Sequence, residues 1–223
     1  MEKNITVCIP VYEQGGLGYE FLKRSLEALA GQTYQDFDVV VADNSTYFAR
    51  DRMKKICDAY SFVTYLHNPI KGMSENTNFA MKHATGNLVK VLYQDDWLPC
   101  QNSLQTIVNN FDTDTHWLIT GANTNPEPYW TDDIITGNNK LGSPSALTMR
   151  RESMLYFDEP MKWLLDCDIY RRLYDKYGAP KIVKGDWVTL GIGEHQMTNI
   201  LSNTEKDKEV EYLKNKYDNR TVS

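Results

Sequence analysis

Apolar residues in this chain come in short unbroken runs, and between the runs they recur every three or four positions. The first run, "ITVCIPV", is short, β-branched and closed by Pro10, as a buried strand should be. Leu22, Leu26 and Leu29 then recur at helical spacing, and Gly31 follows where a C-cap glycine belongs. "FDVVVAD" predicts a second buried strand ending at Asp43, and Met53, Ile56, Cys57 and Tyr60 a second helical stripe. "FVTYL" reads as a third strand, Ser74 to His83 as a helix running down to Gly86, and "NLVKVLY" as a fourth strand that delivers Asp95 and Asp96. Strands alternating with helices, each strand too apolar to have a wet face, predict an α/β fold: a mostly parallel sheet covered by helices on both faces.

Leu165, Ile169 and Leu173 repeat every four residues and would face the core from one more helix. Asp166 and Asp168 are then about 200° apart around it and cannot share one task; the one not at work pairs with an arginine such as Arg172, four positions on. From Thr204 to Ser223 the charges alternate in sign, as on a solvated, peripheral helix, with Val210, Leu213 and Tyr217 as a thin apolar stripe suited to a modest homo-oligomer contact. The expected organisation is one domain over residues 1–203 and a charged helical tail over 204–223.

A length of 223 residues with 41% hydrophobic content is enough to bury a real core. The formal charge of −6 argues against a nucleic-acid binder, which usually shows a basic face. No apolar run approaches the roughly 18 residues of a membrane span, and "MEKNITVCIPVY" has no signal-peptide layout. Cys8, Cys57, Cys100 and Cys167 have neither metal-knuckle nor disulfide-framework spacing and read as buried thiols. The expected location is the cytoplasm.

In sheets of this kind ligands bind at the carboxyl ends of the strands. Three polar segments fall there: "YEQGG", "ADNS" and "QDDW". An adjacent acid pair such as Asp95–Asp96 decorates a solvated turn or flanks something positive; three such strand ends on one rim favour a nucleotide or sugar site. Asp43 has two readings, as ligand contact and as helix cap. The glycines Gly15, Gly16 and Gly18 fit neither dinucleotide nor P-loop spacing and read as a flexible approach to the first helix.

"ITVCIPVYEQ", "SLEALAGQTYQDFDVVVADNST", "GMSENTNFAMKHATGNLVKVLYQDDWL", "GSPSALTMRR" and "WLLDCDIYRRL", in that order, resemble glycosyltransferase family 2, the inverting enzymes of GT-A fold, over roughly residues 4 to 200. The resemblance implies a GT-A fold, a nucleotide-diphosphosugar donor, often a UDP-sugar, a hydroxyl acceptor on a glycan or glycoconjugate, and a divalent cation, Mn²⁺ or Mg²⁺. It places Pro10, Val11, Tyr12 and Glu13 around base and ribose, Asp43 at the uracil ring and Lys71 on the diphosphate side. Asp96 matches the family's metal ligand and Asp95 its ribose or second metal contact, while Tyr93 stands where many relatives carry the first Asp. The family's Glu-Asp pair reads Leu165-Asp166 here, which makes Asp166 the general base. "GIGEHQMTNIL" resembles the segment that folds over the diphosphate, where His195 would complete the metal shell. The turn-rich stretch with Trp130, and the second acid Asp168, are assigned to the acceptor side.

Two rivals remain at this level. A sugar-nucleotide nucleotidyltransferase uses a similar sheet, but its loop after the first strand is basic, and "VYEQGGLGYEF" holds no basic residue. A binding relative that lost turnover is the other.

Overall fold

The computed structural model describes residues 4–218. The expectations for residues 1–3 and 219–223 lie outside the described residues. The first strand, β1 (Ile5–Val11), is buried throughout. It alternates its side chains: Ile5, Val7, Ile9 and Val11 enter one core and Cys8 the other, as a period of two requires. A parallel partner, β2 (Phe37–Asp43), runs beside it from Ile5–Phe37 to Val11–Asp43. Between them α1 (Gly18–Ala30) buries Leu22, Leu26 and Leu29 completely; each such leucine contributes about 1.5–3 kcal/mol of burial.

The chain continues through α2 (Tyr47–Cys57), β3 (Val63–His67), α3 (Met73–Lys82), β4 (Leu88–Val91) and α4 (Ser103–Asn109). It then forms β5 (Trp117–Ala122), β6 (Leu147–Arg150), α5 (Leu165–Tyr177), β7 (Lys181–Val188), α6 (Met197–Ile200) and α7 (Asn203–Asp218). The sheet order is β3-β2-β1-β4-β6-β5-β7. All neighbours are parallel except β6, which runs against both β4 and β5. The α/β, mostly parallel reading therefore holds, with helices on both faces. The chain leaves β1 toward β2 on one side and returns as β4 on the other. That reversal opens a crevice at the carboxyl ends of β1 and β4.

Boundaries differ from expectation in small ways. The third strand starts one residue later, at Val63, and the fourth stops at Val91; beyond it Tyr93 leaves the ladder, its N–H bonding to Ser145 Oγ. Tyr60 lies past the end of α2.

The charged tail helix differs more. Leu213 is wholly buried and Tyr217 nearly so, in one cluster with Ile169 and Leu173. The stripe expected to be thin and peripheral is thus occupied by the chain's own core. No helix among the described residues is long and apolar enough to cross a membrane.

Candidate functional site

Three strand ends are tied together by side-chain amides. Gln94 accepts the Tyr12 N–H at 2.9 Å and donates to the Tyr12 carbonyl at 3.1 Å. It adds one more rung between β1 and β4 beyond the end of the ladder. Asn76, buried on α3, donates to the carbonyls of Val11 at 3.1 Å and Ala42 at 2.8 Å, which closes the ends of β1 and β2. Glu13 accepts the Thr46 N–H at 2.9 Å, holding the loop after β1 to the loop after β2. These bonds satisfy backbone groups that the sheet no longer pairs.

The acidic turn after β4 is built just beyond. Asp96 N–H returns to the Tyr93 carbonyl at 2.9 Å, and Trp97 exchanges backbone bonds with Thr189 at 3.1 and 2.8 Å. Gly191 N–H donates to Asp96 Oδ1 at 2.8 Å. A Cβ at Gly191 would fall inside contact distance of the Asp95 carbonyl, so only glycine permits this approach. His195 Nε2 faces Asp95 Oδ2 at 3.0 Å, and Arg24 Nη2 donates to the Asp95 carbonyl at 2.6 Å. Burial, and then the Asp95 charge, push the Asp96 carboxyl up from its ordinary value; burial likewise raises Asp95. Behind the turn Lys90 is fully buried on β4, its Nζ bonded to the Ser145 carbonyl. Burial lowers that ammonium to about 7, opposed by the charge of Asp96.

Asp166 comes from the first turn of α5. Its Oδ1 accepts the Cys167 N–H and its Oδ2 the side-chain amide of Asn139, both at 2.8 Å. Burial pushes its carboxyl up to about 6 against those two bonds. Lys162 and Trp163, just upstream, form the adjoining wall. That wall is held from α7: Glu209 accepts the N–H groups of Lys162, Trp163 and Leu164 at 2.8–2.9 Å.

One cleft of about 530 Å³ collects most of the expected residues: Pro10, Val11, Tyr12, Glu13, Lys71, Asp95, Asp96, Asp166 and His195 all line it. Three expected residues do not. Asp43 is fully buried, with Oδ1 taking the Ser45 N–H at 2.8 Å and Oδ2 the Tyr65 hydroxyl at 2.6 Å. The placement of Asp168 on the acceptor side is corrected. It is fully buried against α7, bonded to Arg172 at 2.8 Å, Lys216 at 2.7 Å and Tyr217 at 2.7 Å. The Arg172 pairing is the one its spacing predicted. Trp130 is turned from the cleft: its ring stacks on Tyr174 at 3.9 Å with 6° between planes, and its N–H bonds Asp132.

Asn76, Gln94, Asn139, Trp163, Gly191 and Glu209 were missed. Apart from Trp163, their only sequence signal is negative: polar or glycine residues at positions where a helix, strand or turn has no need of them.

For a cation the donor set is suitable in kind, two carboxylates with an imidazole beside them, hard oxygens that Mn²⁺ or Mg²⁺ prefer. Among the described residues no three acids, histidines or cysteines stand ready as a closed metal site. The two raised carboxylates on one rim fit an ion held by one or two acids and completed by phosphate oxygens.

Residues 6–169 match the family model described as glycosyl transferase family 2. The curated relatives include two Streptococcus pneumoniae serotype 4 proteins. Glycosyltransferase GlyA is 27% identical over 108 residues, 48% of this chain and 15% of the relative. Glycosyltransferase GlyG is 27% identical over 112 residues, 48% of this chain and 35% of the relative. The chain thus spans well under half the length of these curated relatives. Among solved structures, S. aureus TarS residues 1–349 with UDP-GlcNAc superposes with TM-score 0.71 at 18% identity, over 93% of this chain and 64% of that one. The mannosyltransferase PcManGT of Pyrobaculum calidifontis, with GDP-Man and Mn²⁺, gives 0.67 at 16% identity, over 87% and 58%. Those likenesses identify the sheet and its helices as the GT-A fold.

Proposed function

The chain belongs to glycosyltransferase family 2, and we propose that its cleft transfers a sugar, with inversion, from a nucleotide-diphosphosugar to a hydroxyl group of a glycan or glycoconjugate. The observation that carries this reading is the meeting of three carboxylates, Asp95, Asp96 and Asp166, from segments seventy residues apart, on one cleft at the sheet's switch point. The ligand class is supported by the complexes of the two structural neighbours, one with UDP-GlcNAc and one with GDP-Man and Mn²⁺. A UDP-sugar is the donor proposed first.

Pro10 to Glu13, which line the cleft, would take the base and ribose, and Lys71, exposed on its rim, the diphosphate. Asp96 and Asp95 would hold the divalent ion; His195, expected in the metal shell, instead spends its Nε2 on Asp95 and would orient that carboxylate, as outer-shell partners do. Bound there, the ion supplies Lewis-acid stabilisation of charge on the diphosphate leaving group. Asp166 accepts the proton of the acceptor hydroxyl as its oxygen bonds to the anomeric carbon. The bond to the diphosphate breaks on the opposite face and its electron pair leaves with the phosphate. A carboxyl raised to about 6 is a stronger base than an ordinary aspartate yet still ionised at neutral pH.

A thermal-stability screen of nucleotide sugars with Mn²⁺ present tests the reading. A ligand that binds only the folded chain raises Tm by an amount set by its concentration over Kd. One nucleoside-diphosphate sugar, or a small set sharing a base, is expected to stabilise the protein. A screen in which no nucleotide sugar shifts Tm overturns the proposal.

A further inference from the structure

Both oxygens of Asp166 receive a donor from the protein, and the two donors differ in kind. The Cys167 N–H belongs to the same helix turn and comes with any residue but proline at that position. The other donor, the Asn139 amide, arrives from a separate loop 27 residues earlier. That amide is set in one orientation. Its Oδ1 accepts the N–H groups of Leu141 at 2.8 Å and Gly142 at 3.1 Å, and its Nδ2 also donates to the Gly142 carbonyl at 2.9 Å. A flipped amide would turn its NH₂ group against two backbone N–H groups, four hydrogens facing each other with no acceptor between them. Gly142, at φ 95°, lets the backbone close around the side chain in this way. The loop therefore aims one N–H of Asn139 at Asp166 and leaves that amide no alternative.

We infer that Asn139 is a positioning residue for Asp166, fixing one carboxylate oxygen and favouring the ionised form, so that the base is ready for the acceptor proton at neutral pH. The inference rests on the reading of Asp166 as the general base. Burial favours the neutral carboxyl, and a donor to the anion opposes it. The Cys167 thiol also bonds this carboxylate, as a weaker S–H donor from within α5 that a change at Asn139 leaves in place. Tyr93, just beyond β4, feels the charges of Asp166, Asp96 and Asp95, while Cys167 and Tyr170 lie on α5 beside Asp166. Burial raises all three of these hydroxyl and thiol groups, so they stay neutral wherever Asp166 titrates. Asp96 and Lys162 also line the cleft. Neither makes a hydrogen bond to Asp166 among the described residues.

The test reads Asp166 directly, without substrate. Carboxyl ¹³C NMR of the full chain labelled at the aspartate Cγ, with the Asp166 signal identified by its loss in Asp166→Asn, gives the titration midpoint. It is expected at about 6 in the natural protein, and about one unit higher in Asn139→Ala, where one donor to the anion is gone. Asn139→Asp has the same shape and keeps the acceptor for Leu141 and Gly142. It sets carboxyl against carboxyl, so the pair is expected to titrate in two coupled steps with the last proton leaving above the natural midpoint. An Asp166 midpoint unchanged in folded Asn139→Asp overturns the inference, whatever becomes of the alanine variant. The base assignment fails separately: an Asp166→Asn protein that still transfers sugar would sink it while leaving the NMR result standing.

Discussion

His195 presents its Nε2 to Oδ2 of Asp95 at 3.0 Å, closing the segment after β7 onto the acidic turn after β4 across a hundred residues of chain. The imidazole also packs on Phe21 of α1, 4.9 Å between ring centroids, so its position is set from two sides. Removing it as His195→Ala frees the Asp95 carboxylate to rotate. Loss of such an outer-shell partner typically costs 10–100-fold in metal affinity. Calorimetry of UDP binding with Mn²⁺ is expected to show a loss of about tenfold or more on that scale. Unchanged affinity would mean that Asp95 needs no orienting.

Asp166→Asn keeps the shape of the base and removes its basicity. Donor binding should be retained while transfer falls by about 10²–10⁴-fold, the usual worth of a positioned base. In the natural protein transfer should rise with pH through about 6 and level off above it. The stability effect has the opposite sense. Asp166 is raised from 3.8 to about 6 in the folded chain, so the native state holds the proton longer than the unfolded one. Stability is lost as pH rises through that window. Asp166→Asn sheds that pH dependence but turns its NH₂ against one of the two donors that Asp166 accepts, so its Tm should fall less than that of the natural protein as pH rises through the window. A variant with full transfer at pH 8 rules this base out.

Asp168, two residues on, should behave in the reverse manner. It is enclosed by Arg172, Lys216 and Tyr217 and never reaches the cleft. Breaking a buried charge cluster by removing one member costs about 3–5 kcal/mol. Asp168→Asn is expected to lower Tm and loosen α7, while the protein that remains folded at low temperature binds UDP as before. If Asp168→Asn melts normally but cannot transfer, the two aspartates have exchanged roles.

The contrast between these two acids shows how far the sequence could be read. Their opposite faces followed from helical spacing alone, and so did the Asp168–Arg172 pair. The first four strands were legible because each is an unbroken apolar run between helical stripes. The later strands are less so. Trp117–Ala122 is a buried apolar run of the same kind and was passed over; Leu147–Arg150 and Lys181–Val188, the one without a flanking helical stripe and the other broken by an internal glycine, stand out less from loops. The acidic turn could be found from its charge. Residues that hold the site together, such as Asn76, Gln94 and Asn139, act across long separations, and no local pattern marks a side chain whose partner is a distant carbonyl or carboxylate. Trp130 misled for the same reason: an aromatic beside acids suits a sugar wall, but a ring elsewhere in the chain, Tyr174, already covers its face.

Glu209 gives a test of the wall beside the base. Its carboxylate takes three successive backbone N–H groups just before α5, bonds of the charge-assisted kind. Glu209→Ala leaves those donors with water or nothing. Hydrogen exchange at Lys162, Trp163 and Leu164 should speed up by at least tenfold, the factor that about 1.4 kcal/mol of lost protection supplies. The α1 amides should be unaffected. Protection at the three positions that survives the substitution would show that α7 does not hold the wall.

The central claim, that the acidic turn carries a cation which in turn carries the donor's diphosphate, is tested most directly by isothermal titration of UDP into the protein with and without Mn²⁺. The same pair of titrations is run on Asp96→Asn. The account expects Mn²⁺ to tighten UDP binding in the natural protein and to make no difference in the variant. Equal affinity with and without the metal in the natural protein would contradict it.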